Sequence, residues 1–274
     1  MMNIEYLNDW AVEVKDIDLS ESDETTAHKI ADLVLSQMVV VIRNQNLTPE
    51  QQLRFCNFIG EYQSTNTDRA KDISLIDGVL RVTGQKNNRG EEGLFGHTSA
   101  LDWHANQASN YQRMPLIWLY GKEGTKGSIT SWINNIESYN SLSEDIKEQI
   151  KDTKITLGYK VDSYSPSKFF KEHHAKDRPF KLVHTNDAGK TGLYFPFLQV
   201  FGGLSEELFE KLKSHILQFQ FRYDHHWQDG DIVLSEQWLS IHKRHYFKNM
   251  EDRVLHRIAF DYSKLKWIIF LYQN

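Results

Sequence analysis

The stretch LDWHANQAS, residues 101–109, sets an imidazole, His104, two positions before an amide, Asn106. His-x-Asp or His-x-Glu at that spacing offers a nitrogen and a carboxylate to one metal ion. Together with a distant second histidine it forms the facial triad of non-haem Fe(II) oxygenases, which leaves positions open for ligands and O₂. A suitable second histidine is His242, in SEQWLSIHKR. Arg253 follows it as H-x10-R, and Arg257 follows Arg253 as R-x3-R. A guanidinium beside a metal-binding histidine can grip a carboxylate with both arms while the ligand's other end chelates the metal. The ligand would be a small dicarboxylate, and 2-oxoglutarate is such a molecule.

The pattern departs from a complete triad at Asn106. None of the 12 histidines is followed at the second position by Asp or Glu. Three readings stay open. Asn106 gives the metal its neutral amide oxygen, or leaves that position to water, with the charge of a dianionic ligand offsetting the weaker donor. Another carboxylate serves, Asp102 or Glu236. Or the metal is lost, and the protein binds 2-oxoglutarate or another ligand without oxidising it. Halide in the vacated position would need a smaller residue than asparagine. Taken singly, each residue has an ordinary structural reading: His104 and His242 as satisfied half-buried histidines, the arginines as surface residues, Thr130 as a strand threonine.

The elements that must position these residues can be read from the chain of 274 residues, long enough for one domain with a sizeable core. A net charge of −5 with no basic block argues against general nucleic-acid binding. The apolar runs MVVVIR and WIIFLY are too short to span a bilayer. The N-terminus lacks a signal-peptide pattern. Cys56 is the sole cysteine, which excludes an internal disulfide or thiolate cluster and suggests a reducing, cytoplasmic setting. Helices are expected over 22–36, from Thr48 and Pro49 onward with Leu53, Phe55, Phe58 and Ile59 as its apolar stripe, and in SLSEDIKEQIK and LSEELFEKLKSHILQF. Short strands are expected in MVVVIRN, VLRVTG, PLIWLYG, SITSWI, KITLGYK, FKLVHT, GLYFPF, DIVLSE, RVLHRIAFDY and KWIIFLY. Many short strands with few helices suggest a sandwich or barrel with helices packed on one side. Residues 161–178 read as a polar surface excursion, and KWIIFLY as a core strand or an interface, so a homo-oligomer stays open.

Five segments, in order, resemble the taurine dioxygenase (TauD/TfdA-like) family of Fe(II)- and 2-oxoglutarate-dependent oxygenases. They are MVVVIRNQNLTPEQQLRFCNFIGEY, LDWHANQAS at the place of W-H-x-D, GSITSWINNIESYNSLSEDIKEQI, HTNDAGKTGLYF, and WQDGDIVLSEQWLSIH with DRVLHRIAFDY. The resemblance spans most of the chain and implies a single domain over 1–274, mainly β with α, built as a double-stranded β-helix (jelly-roll) core with flanking helices. It implies His104 and His242 as metal ligands with Asn106 at the third position. It implies Arg253 and Thr130 on 2-oxoglutarate, and Arg257 near a small, anionic organic substrate, with O₂ as co-reactant. Gln107, Phe95, His97 and Tyr194 are further pocket candidates, Gln107 for the substrate.

Overall fold

The computed structural model describes residues 2–67, 70, 73–85, 100–108, 114–158, 179–186 and 188–265. The chain opens with a hairpin, β1 (Asn3–Tyr6) and β2 (Ala11–Lys15). Helix α1 (Glu24–Gln37) follows, its first turn capped by the Asp23 side chain on the Thr26 N–H. Strand β3 (Val39–Ile42) is buried at every position. Helix α2 (Pro49–Ile59) starts as the sequence predicts: Thr48 and Gln51 form a reciprocal capping box, and Pro49 occupies the first turn, where a missing N–H costs nothing. The strands β4 (Ser74–Ile76), β5 (Val79–Thr83), β6 (Leu101–His104), β7 (Leu116–Glu123) and β8 (Ile129–Asn134) come next. An excursion of α3 (Asn135–Asn140), α4 (Glu144–Ile150), β9 (Lys154–Leu157), β10 (Pro179–Lys181), β11 (Val183–Thr185), β12 (Thr191–Leu193), β13 (Val200–Gly202) and α5 (Glu206–Ile216) intervenes. The chain returns through β14 (Arg222–His226), β15 (Ile232–Glu236), β16 (Ser240–Arg244) and β17 (Val254–Phe260).

Two sheets matter for the site. The larger has the order β1-β2-β3-β15-β7-β17-β5-β4, and the smaller β14-β8-β16-β6. From β5 to β8, and again from β14 to β17, successive strands alternate between the two sheets. Among the described residues, only β2 and β3 pair in parallel within them.

Three apolar layers hold this arrangement. Outside the larger sheet, Ile30 and Val34 of α1 and Phe55 and Ile59 of α2 pack on Val40, Trp118, Ile258 and Phe260. Between the sheets, Val39, Val41, Val233 and Leu255 meet Trp132 and Trp227. Beyond the smaller sheet, Trp103, Ile133 and Ile241 pack against Ile146, Leu212 and Ile216 of the excursion. A strand with helices on one side and a second sheet on the other buries both faces, and the VVVI of β3 is continuously apolar for that reason. Cys56 is wholly buried within the first layer, and burial raises its thiol pKa well above the usual value.

The structure adds elements that the sequence pattern does not announce: the β1–β2 hairpin, α3, β14 and β16. The 161–178 excursion, His173, His174 and the KWIIFLY segment lie outside the described residues. No described helix is long and apolar enough to cross a membrane.

Candidate metal and anion site

Strand alternation decides which side chains enter the space between the sheets. On β17, Leu255 and Arg257 point inward with Arg253 just before them, while His256 and Ile258 face the helices. On β16, His242 and Arg244 point inward and Ile241 points outward. Thr130 enters from β8 and His104 from β6. Val82, Leu101, Leu119 and Leu255 supply apolar wall. The space between them, counted out to its open mouth, is about 480 Å³.

One end gathers the two predicted imidazoles. His242 and His104 are directly paired residues of β16 and β6. Their ring centroids are 4.2 Å apart. With metal–nitrogen bonds of about 2.1 Å, two imidazoles on adjacent coordination positions place their centres roughly 4–5 Å apart. The spacing therefore fits a single cation. His104 Nδ1 donates to the Asp102 carbonyl at 2.7 Å. That bond fixes the tautomer and leaves the lone pair on Nε2, the arrangement metal-binding histidines use. Burial foremost, then the guanidiniums of Arg244 and Arg257, lowers the His104 pKa to about 4. The ring is thus neutral at pH 7.

Asn106 completes this end differently from a carboxylate. Its Oδ1 accepts from Arg257 Nη1 at 3.2 Å, and its Nδ2 faces His242 Nε2 at 3.5 Å. The loop is held from outside the cavity. Gln199 accepts from the Ala105 N–H at 2.9 Å and donates to the Ala105 carbonyl at 3.0 Å, and Tyr194 donates to the Ala108 carbonyl at 2.7 Å.

Neither alternative carboxylate is placed as a ligand. Asp102 would face the same way as His104 in a regular strand, but β6 is bulged here. His242 pairs with His104 while Arg244 pairs with Leu101, so three steps on β6 oppose two on β16. Leu101 and His104 both enter the cavity, and Asp102 turns outward, half-exposed, to Lys243 at 3.1 Å. Glu236 is fully buried and accepts from the N–H groups of Trp238 and Leu239 at 3.0 and 2.8 Å, capping the β15–β16 turn. Among the described residues, no group of three His, Cys, Asp or Glu side chains could hold a metal.

The other end is cationic. Thr130 Oγ1 accepts from Trp227 Nε1 at 2.9 Å, which leaves its own proton to donate into the cavity. Arg253 is 2 % exposed, its Nε donates to Ser128 Oγ at 3.1 Å, and no carboxylate pairs with it among the described residues. Gly124 makes this packing feasible: a Cβ there would lie 2.2 Å from the Asp252 carbonyl oxygen, and its φ is +62°. Arg244 sits opposite Thr130 in the β16–β8 register. Burial lowers the Arg244 pKa to about 10, and burial with repulsion from Arg244 lowers that of Arg253 to about 9. Both buried guanidiniums line this end of the cavity.

Six sequence-predicted residues thus line one cavity: His104, Asn106, Thr130, His242, Arg253 and Arg257. Gln107 does not; its side chain turns to Gln63, from a backbone φ of +57°. Tyr194 fixes the loop rather than lining the cavity, and Phe95 and His97 lie outside the described residues. Arg244 was missed, although its place two residues after His242 put it on the same strand face. Gln199 gave no sequence signal. His184 of the HTND turn stacks on Trp238, with ring centroids 4.5 Å apart.

Comparison with known proteins identifies the family. Residues 3–259 match the family described as taurine catabolism dioxygenase TauD, TfdA family. The alpha-ketoglutarate-dependent 2,4-dichlorophenoxyacetate dioxygenase of Cupriavidus pinatubonensis is 23% identical over 90% of this chain and 93% of its own. Pentalenolactone F synthase of Streptomyces avermitilis is 20% identical, over 86% of each chain. Among solved structures, AAD-2 in complex with Mn(II) and N-oxalylglycine superposes with a TM-score of 0.78 at 21% identity, covering 94% of this chain and 97% of that one. Matched by the family model along nearly its whole length, this chain belongs to the TauD/TfdA family of 2-oxoglutarate-dependent dioxygenases.

Proposed function

We propose that the cavity takes Fe(II) between His104 and His242 and 2-oxoglutarate between that metal and Arg253, and that the protein hydroxylates a small organic acid. One observation carries the reading. Two imidazoles converge at one end of an apolar-walled cavity, with a buried guanidinium and a donating hydroxyl at the other. The donor set fits a divalent metal held by two nitrogens, with the remaining positions left to cosubstrate oxygens, water and the Asn106 position. When bound, Fe(II) and 2-oxoglutarate supply O₂ activation and substrate oxidation, with succinate and CO₂ as co-products.

The protein's own contribution is placement. Arg253 and Thr130 hold the distal carboxylate through charge-assisted hydrogen bonds. Arg244 adds a second cation at that end. The apolar wall of Val82, Leu101, Leu119 and Leu255 limits water around the reacting groups. Arg257, beside Asn106, suits an acidic group on the substrate. The relative named for 2,4-dichlorophenoxyacetate supports a carboxylic acid as that substrate. The alternation of strands between two facing sheets supports a double-stranded β-helix, in one domain spanning the chain. The single buried cysteine supports a cytoplasmic setting.

The test is succinate formation from 2-oxoglutarate in air, with and without added Fe(II). It should require Fe(II) and collapse in His242→Ala; equal turnover without iron would refute the proposal. Asn106, with its amide nitrogen toward His242, favours a second reading as a binding protein that does not oxidise its ligand. Saturable calorimetric binding of 2-oxoglutarate with no metal uptake would select it.

A further inference from the structure

The hydrogen bonds around Asn106 set which atom it offers the metal position. A guanidinium only donates, so the atom facing Arg257 Nη1 at 3.2 Å must be the amide oxygen. The amide nitrogen then faces His242 Nε2 at 3.5 Å. His242 Nε2 carries a lone pair in that contact and can be a ligand, but the –NH₂ beside it cannot. Oxygen ligation by Asn106 therefore requires the amide to turn and surrender the Arg257 bond.

Resting on the metal and cosubstrate reading above, we propose that Arg257 is a positioning residue that withholds the Asn106 oxygen from the metal until an anionic group of the substrate engages the guanidinium. The two states differ in the bond between Asn106 Oδ1 and Arg257. Without substrate, Oδ1 is tied to Arg257 and the third protein position offers no oxygen. With a carboxylate on Arg257, the guanidinium's donors are redirected and Oδ1 becomes available. Substrate and metal then bind with positive coupling, equal in both directions as thermodynamic linkage requires. A carboxylate at position 106 would not behave this way, because one oxygen can accept from Arg257 while the other faces the metal.

A double-mutant cycle on metal affinity tests this, with Mn(II) binding read by electron paramagnetic resonance in the presence of N-oxalylglycine. The full-length chain is compared with Arg257→Met, Asn106→Ala and the double variant. Removing a nearby cation tightens any metal through simple electrostatics, and the Asn106→Ala pair measures that part alone. The proposal expects Arg257→Met to tighten Mn(II) by a further factor of about five when Asn106 is present, the worth of one hydrogen bond released. Equal changes in both backgrounds would overturn it. Arg257 is only partly buried, so truncation should be tolerated, and Arg257→Leu repeats the cycle with a different apolar side chain. His242→Ala sets the baseline. If Mn(II) binding does not depend on His242, the metal reading itself fails and this inference with it; His242-dependent binding without the coupling removes only the role of Arg257.

Discussion

The two ends of the cavity are built on opposite terms. At the end proposed for the metal, a neutral His104 meets His242, and the Asn106 amide between them and Arg257 is already engaged by the guanidinium. At the other end, Arg244 and Arg253 supply buried positive charge beside the Thr130 hydroxyl, and no carboxylate among the described residues pairs with Arg253. A site with a weak cation holder beside a strong anion holder makes one ligand depend on the other. In the proposed reading, the cosubstrate's charge serves the metal that the protein serves poorly. Metal without 2-oxoglutarate should bind loosely, and the pair together should bind far better than either alone.

That contrast can be broken most directly at Arg253. Arg253→Met should weaken 2-oxoglutarate binding by roughly 10–100-fold, the range for losing a buried charge-assisted bond, while Mn(II) alone changes little. Paired calorimetric titrations check it, and the reverse order of effects would remove Arg253 from the anion end. Gln199→Leu attacks the metal end from behind by deleting both bonds to Ala105. Leaving two buried backbone groups unsatisfied should cost about 2 kcal/mol of stability in urea unfolding. It should also loosen Mn(II) binding with 2-oxoglutarate binding nearly intact.

Asn106→Asp should erase the contrast. A carboxylate restores charge to the metal end and should tighten Mn(II) about tenfold, a modest Coulombic gain for a partly exposed site. Unchanged affinity would put position 106 away from the metal. The smallest effect concerns a histidine on the opposite face of β17. His256 accepts from Gln52 at 3.0 Å, and burial, then Lys122 and Arg81, lowers its pKa to about 4 from 6.5. It stays neutral in the fold but takes up a proton when unfolded below 6.5. Its contribution to stability is complete above that value and is lost as pH falls toward 4. Lowering the pH by one unit from 6.5 should cost about 1 kcal/mol through this group. His256→Gln should flatten that part of the pH profile in thermal melts, and 2-oxoglutarate binding should not change.

Much of the frame is legible in the sequence because it follows local rules. Thr48, Pro49 and Gln51 announce α2, and the unbroken apolar run VVVI of β3 announces a strand covered on both faces. Of the strands that carry the site, β16 is one the pattern hides. In β16, SIHKR contains a single apolar residue, because its inward positions are spent on His242 and Arg244. Period-two reasoning also misleads at β6. An unpaired extra residue rotates Asp102 out of the cavity, and no composition rule records a bulge.

By itself the sequence determined the types of chemistry available: two histidines without a partner carboxylate at the second position, and arginines spaced to share one strand face. Those follow from side-chain identity and from strand periodicity, both local properties. Only the tertiary structure decided that the imidazoles meet, that Arg244 joins Thr130, that Asp102 and Glu236 are committed elsewhere, and that Asn106 gives its oxygen to Arg257. These are contacts between strands far apart in the chain. Register, bulges and packing between the two sheets set them, and those depend on the fold as a whole.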